Sequence, residues 1–182
     1  MRLLFQILVL FSVILYGVMA LWSFPLIAAN ANGLEGFDLR FMGYSVDDAR
    51  AFLTALNDAG RTHYLTTQAQ LDLAYPAILS LTLIIGMLRF GVRLRVFWRI
   101  LLVLLPFAAG ALDYVENALV AQLLSAQPED VTDAMITQAS LVTMAKSMLY
   151  ALSIALVIVL AAAFAVRRRR NIRRRQAREA KY

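Results

Sequence analysis

Four apolar stretches, at about 3–25, 71–88, 96–124 and 141–166, decide what this 182-residue chain can fold into. A helix needs about 20 mostly apolar residues to cross a hydrocarbon core about 30 Å thick. Nothing in that core can bond to a free backbone N–H or C=O, so each stretch has to be helical. The expected fold is all-α, a four-transmembrane-helix bundle. Composition agrees: 61% of the residues are hydrophobic, against about half in a soluble domain. The organisation expected is one membrane domain, 1–166, followed by a basic tail, 167–182.

The charges give the bundle a direction. One group comprises Arg2, the cluster Arg89, Arg93, Arg95 and Arg99, and the tail from Arg167 to Lys181. It holds 14 positive residues against one acid, Glu179. The segments 30–70 and 125–140 instead carry three bases, Arg40, Arg50 and Arg61, against eight acids. Arginine and lysine in short loops stay cytoplasmic. Both termini and the 89–99 loop are therefore expected inside a bacterial inner membrane, with 30–70 and 125–140 outside. An arginine run directly after a membrane helix lies against anionic lipid headgroups, at about 1 kcal/mol per residue near the surface. That position favours the lipid surface over nucleic acid as its partner. Arg2 and Ala29-Asn30-Ala31 resemble parts of a signal peptide, but the apolar run is longer than the ~7–15 residues of a signal core. The first helix is expected to stay uncleaved.

The chain has no cysteine and one histidine, His63. Disulfides, thiolate metal sites and cysteine nucleophiles are thereby excluded. No metal-ligand spacing, phosphate loop, dinucleotide fingerprint or nucleophile elbow is present. No cofactor or metal is expected.

Within 30–70, Phe37, Phe41, Met42 and Tyr44 are expected to rest at the membrane interface. Ser45, with Asp48 three residues on, reads as a capping box. It opens an extracytoplasmic amphipathic helix at about 45–59, whose stripe is Ala49, Phe52, Leu53 and Leu56. Such a helix serves as a brace or a lid. Gly60 is expected to cap its C-terminus, and 61–70 to lead helically into the second crossing. Pro76 and Pro106 each deprive a carbonyl four residues back of its donor. The small residues Ala108-Ala109-Gly110-Ala111 admit a close neighbour. His63 is expected to be an exposed interfacial residue.

Four ionisable residues interrupt the apolar runs: Asp72, Asp113, Glu116 and Lys146. Counting from the nearest arginines at ~1.5 Å per residue puts them roughly 21–31 Å from the inner surface. Three helices thus bring charge to one level in the outer third of the core. Helical spacing adds Tyr75 beside Asp72, Asn117 beside Asp113 and Glu116, and Tyr150 beside Lys146. Tyr16 sits at similar depth on the first helix. A charge in mid-membrane costs roughly 2.5–3.5 kcal/mol on insertion scales, so these faces should point inward. Lys146 neutralises one carboxylate. The other two are then expected to hold a proton, bind a cation, or pair with Arg61 or His63 acting as a lid or counter-charge. The same residues also suit a purely structural role, since polar contacts between membrane helices contribute about 0.6 kcal/mol each and fix which faces meet.

Several groups together carry a resemblance: Phe37-Asp38-Leu39-Arg40, Gly43-Tyr44-Ser45, Gly60-Arg61 with Tyr64, Asp72 with Tyr75-Pro76, Asp113-Tyr114-Val115-Glu116-Asn117, and Lys146. In these the chain resembles a family of small, uncharacterised bacterial four-helix integral membrane proteins. That resemblance implies the same four-crossing architecture and no activity. A fainter likeness to the sterol-isomerase-like membrane fold lends no residues.

The function expected is non-enzymatic: a small ligand, lipid headgroup or cation held in an outer-leaflet polar pocket. The chain would serve as an accessory or assembly component with a membrane protein partner. Two alternatives stay open: an enzyme on a lipid or isoprenoid substrate with Asp113 or Glu116 as general acid/base, and a small transporter or proton-coupled channel subunit.

Overall fold

The computed structural model describes residues 2–179. Part of the basic tail, Lys181 included, lies outside the described residues. Among the described residues there are five principal helices and no strand: α1 Arg2–Ala29, α2 Val46–Ala55, α3 Asp58–Phe90, α4 Val96–Ser125 and α5 Asp133–Glu179. The four long ones, α1, α3, α4 and α5, are long and apolar enough to cross a membrane. The molecule is an all-α bundle and a multi-pass membrane protein. The arginines of 89–99 and 167–173 share one end of it, the arginine end. Residues 31–57 cover the other, the cap end.

α3 is the hub. It packs against α1, α4 and α5, while α4 also packs closely on α5 and α1 rests chiefly on α3. Near the arginine end, Phe90 on α3 meets Phe5 of α1 and Phe164 of α5, with ring centroids 5.4 and 5.7 Å apart. The small-residue run on α4 does what its composition predicts. Gly110 is buried, and a side chain there would overlap Ser80 of α3.

The cap is a second core rather than a loose surface layer. Ile27, Phe37, Phe52, Leu123 and Ile136 are each 1% exposed or less and pack together with Tyr64. The capping box forms as the sequence predicts, with Ser45 accepting from the Asp48 N–H and the Asp48 carboxylate accepting in return. Ala49 and Phe52 of α2, with Leu56 at its C-cap, form the buried stripe by which α2 braces the bundle. Phe37 is fully buried rather than free to rest at an interface, and Tyr44 is half-buried against it. Their rings are tilted against one another with centroids 4.8 Å apart, and Phe37 meets Phe52 edge to face at 5.0 Å. Phe41 and Met42 remain exposed.

Gly60 differs from expectation too. α2 ends at Ala55, and Asn57 caps a new helix by accepting from the Gly60 N–H at 2.9 Å. Gly60 lies in the first turn of α3, where a Cβ would sit 2.6 Å from Asn30 Cβ. It is there for close approach to α1, not to end a helix.

Two wide π-helical turns interrupt the long helices, Met19–Ser23 in α1 and Tyr64–Gln68 in α3. The first precedes Pro25, whose missing N–H deprives the Leu21 carbonyl of its usual donor. The two turns face one another through a 2.5 Å bond from Ser23 Oγ–H to Gln68 Oε1. Pro76 likewise leaves the Asp72 carbonyl without its helical partner. Asn117 Nδ2 on α4 donates to that carbonyl at 3.1 Å, and the Tyr114 hydroxyl donates to the adjacent Leu73 carbonyl at 2.8 Å. Neighbouring side chains thus satisfy the backbone that the proline frees.

Candidate functional site

The acids and the lysine predicted at one depth do meet. Lys146 Nζ lies 2.6 Å from Asp113 Oδ1 and also contacts Glu116 Oε2. The three side chains are 11%, 7% and 0% exposed. The hydroxyl of Thr143, one turn before Lys146 on α5, donates to Glu116 Oε1 at 2.5 Å. One lysine therefore serves two carboxylates, where the sequence suggested one.

Asp72 finds another partner. Gln68, four residues earlier on α3, donates from Nε2 to Asp72 Oδ1 at 2.9 Å. Gln68 in turn accepts from Ser23, and Ser23 lies 2.8 Å from His63 Nε2. Ser23 has one hydrogen and gives it to Gln68, so His63 Nε2 must be the donor to Ser23. The chain runs in one direction, His63 to Ser23 to Gln68 to Asp72. His63 is half-buried rather than exposed, and its ring meets Trp22 edge-on at 5.6 Å. Neither proposed counter-charge reaches the carboxylates. Arg61 donates to the carbonyls of Leu124 and Leu53, because the start of α3 sits against the exposed carbonyl ends of α2 and α4.

Periodicity alone did not single out Asp38. A short 3-10 turn, Phe37–Leu39, drops it from the cap toward the bundle, where the Tyr64 hydroxyl donates to Oδ2. Burial pushes its carboxyl above the ordinary carboxylate range. Lys146 and the Tyr64 bond oppose that shift, and Asp113 adds to it. A cue was present in the sequence: an acid held between two apolar residues, Phe37 and Leu39, in a loop.

These groups surround a cavity of about 360 Å3 between α1, α3, α5 and the cap. Its polar wall carries Asp38, Asp72, Asp113 and Lys146, with Tyr16, Tyr75 and Tyr150 beside them. The Tyr16 and Tyr75 rings lie 5.8 Å apart, and the Tyr150 hydroxyl is 3.3 Å from Ser80 Oγ. Met19, Phe24 and Leu79 line the apolar side, and the exposed Tyr16, Phe41 and Ile154 form the rim. Of the residues singled out in the sequence, Asp72, Tyr75, Asp113, Lys146 and Tyr150 face this space. Glu116 and Asn117 stand behind it, the first on Lys146 and the second on the kink at Pro76.

No family model, curated protein or solved structure matches this chain. Chemistry has to be read from the cavity. Among the described residues no three metal-ligating side chains gather closely enough to hold an ion. The acids are spread around a wall instead. Such a wall suits an organic polar group with several hydrogen-bonding positions better than a bare cation, which needs oxygens converging on one point.

Proposed function

We propose that this protein is a non-enzymatic membrane protein whose cap-end cavity holds the amine-bearing polar head of a membrane amphiphile. The observation that carries this is the pairing inside the cavity. Lys146 is taken up by Asp113 and Glu116, which leaves Asp38 and Asp72 on the wall with neutral hydrogen-bond partners, Tyr64 and Gln68, among the described residues. The wall is thus short of positive charge, and a buried carboxylate is stable when paired and hydrogen-bonded. An ammonium group supplies both. The apolar side and the exposed rim between α1 and α5 would take the start of an acyl chain from the surrounding lipid.

Native mass spectrometry of the protein released from its own membrane tests this. The expected result is a lipid adduct bearing an amine, lost in the Asp38→Asn/Asp72→Asn double variant. An unchanged adduct in that variant, or a bare chain in the parent, would sink the proposal.

Sidedness belongs to the same proposal: the arginine end faces the cytoplasm of a bacterial inner membrane and the cap faces outward. Its support is the segregation of charge between the two ends. The chain has no native cysteine, so single cysteines placed at Gln127 and Asn171 can be labelled from outside intact cells. Labelling of position 171 but not 127 would reverse the orientation.

A lipid-modifying enzyme is the second reading, favoured by a cavity large enough for a headgroup. The acid/base residue would then be Asp72 rather than Asp113 or Glu116, which Lys146 holds.

A further inference from the structure

A second concavity, of about 560 Å3, lies at the arginine end between the α3–α4 turn and the last part of α5. The turn is tight. Gly91 N–H bonds to the Met87 carbonyl at 2.8 Å and Leu94 N–H to the Gly91 carbonyl at 2.9 Å. It holds Arg93 opposite α5, whose helix continues unbroken through its arginines and so presents Arg167, Arg168 and Asn171 to the same space. The floor is apolar: Phe90, Leu160 and Phe164, with the Phe90 and Phe164 rings in contact.

We infer that this groove is a discrete binding site for an anionic glycerophospholipid of the adjoining leaflet. Three guanidinium groups around one concavity match a phosphodiester, which arginine recognises through paired N–H donors. The apolar floor decides between the sources of that phosphate. A free phosphate has no use for Phe90 and Phe164, whereas the glycerol and upper acyl carbons of a lipid cover them. The site also differs from general attraction of the tail to a charged surface, because Arg169, Arg170 and Arg173 carry the same charge on the same helix and do not line the groove. The inference is independent of the cap-end cavity.

The test is a titration of the full-length protein in neutral detergent with phosphatidylglycerol, read by native mass spectrometry. Two triple variants remove equal charge: Arg93→Gln/Arg167→Gln/Arg168→Gln in the groove, and Arg169→Gln/Arg170→Gln/Arg173→Gln beside it. All six arginines are exposed, so both variants should fold, and gel filtration verifies it. The groove variant is expected to bind about tenfold more weakly or worse, and the other to change by about threefold or less. Equal weakening in both would leave only diffuse attraction and overturn the site. Equal binding of phosphatidylcholine would overturn the anionic specificity. Displacement by glycerol 3-phosphate at comparable concentration would overturn the lipid in favour of a soluble phosphate.

Discussion

Replacing Lys146 by methionine tests the polar layer most directly. The substitution keeps most of the side-chain volume and removes the cation that, among the described residues, pairs with Asp113 and Glu116. Both acids are almost fully buried, at 7% and 0% exposure, and among the described residues Glu116 retains the Thr143 hydroxyl alone as a donor. Removing one partner of a buried ion pair costs about 3–5 kcal/mol, because a charge is stranded rather than because an attraction is lost. Two carboxylates share this lysine, so the expectation sits inside that range, at about 4 kcal/mol or roughly a thousandfold in the folding equilibrium. Equilibrium unfolding in mixed micelles of neutral detergent and dodecyl sulfate measures it. The triple variant Lys146→Met/Asp113→Asn/Glu116→Gln strands no charge and should regain more than half of the loss. A Lys146→Met variant within about 1 kcal/mol of the parent would refute the buried-charge account. A triple variant as unstable as the single one would place the cost in packing instead.

Three further outcomes are expected. Asn117→Leu should cost about 1–2 kcal/mol in the same unfolding assay by stranding the Asp72 carbonyl, and much less in a Pro76→Ala background, where the helix supplies its own donor. Gly60→Ala should cost about 1–3 kcal/mol, since the new Cβ would lie 2.6 Å from Asn30 Cβ and 2.7 Å from Leu56 Cδ1; faster proteolysis within 31–57 would report the loosened cap. Asp38 has a raised carboxyl pKa in the fold, so its contribution to cap stability should be fullest in acid, below the ordinary carboxylate value, and be lost as pH rises through the raised value. Hydrogen exchange of the cap amides followed against pH should show that decline, and Asp38→Asn should flatten it.

The parts legible in the sequence were those with a local or periodic cause. Length and hydropathy specify the four long helices, since no other arrangement satisfies their backbone in lipid. Ser45 and Asp48 specify the start of α2 through bonds only three residues long. Depth counting brought Asp72, Asp113 and Lys146 to one layer because helical rise is constant. What escaped depends on contacts distant along the chain. Asp38 reaches the layer through a loop whose path is set by the packing of Phe37 on Phe52. Gly60 near a helix end is compatible with a cap or with close approach, and only the position of Asn30 decides between them. Arg61 and His63 carry the right charge chemistry to meet carboxylates, but nearer acceptors claim both. A polar pocket at this depth was expected from the sequence, but its apolar side and its opening beside Tyr16, Phe41 and Ile154 were not, because they depend on how α1 leans on α3.

The line of bonds from His63 to Asp72 contains one link of a different kind. Hydroxyls and imidazoles can take up a proton on one side and release another on the opposite side. The Gln68 amide cannot do so without passing through its imidic acid tautomer. The chain therefore behaves as a dielectric rather than as a conductor. Dipole alignment starting at the protein surface is felt at Asp72, while a proton from His63 stops at Ser23. Proton exchange at Asp72 is left to the spaces it lines, the cap-end cavity and a smaller cleft of about 60 Å3 beside Tyr64 and Asn117, so an occupant of the cavity would leave only the narrower way.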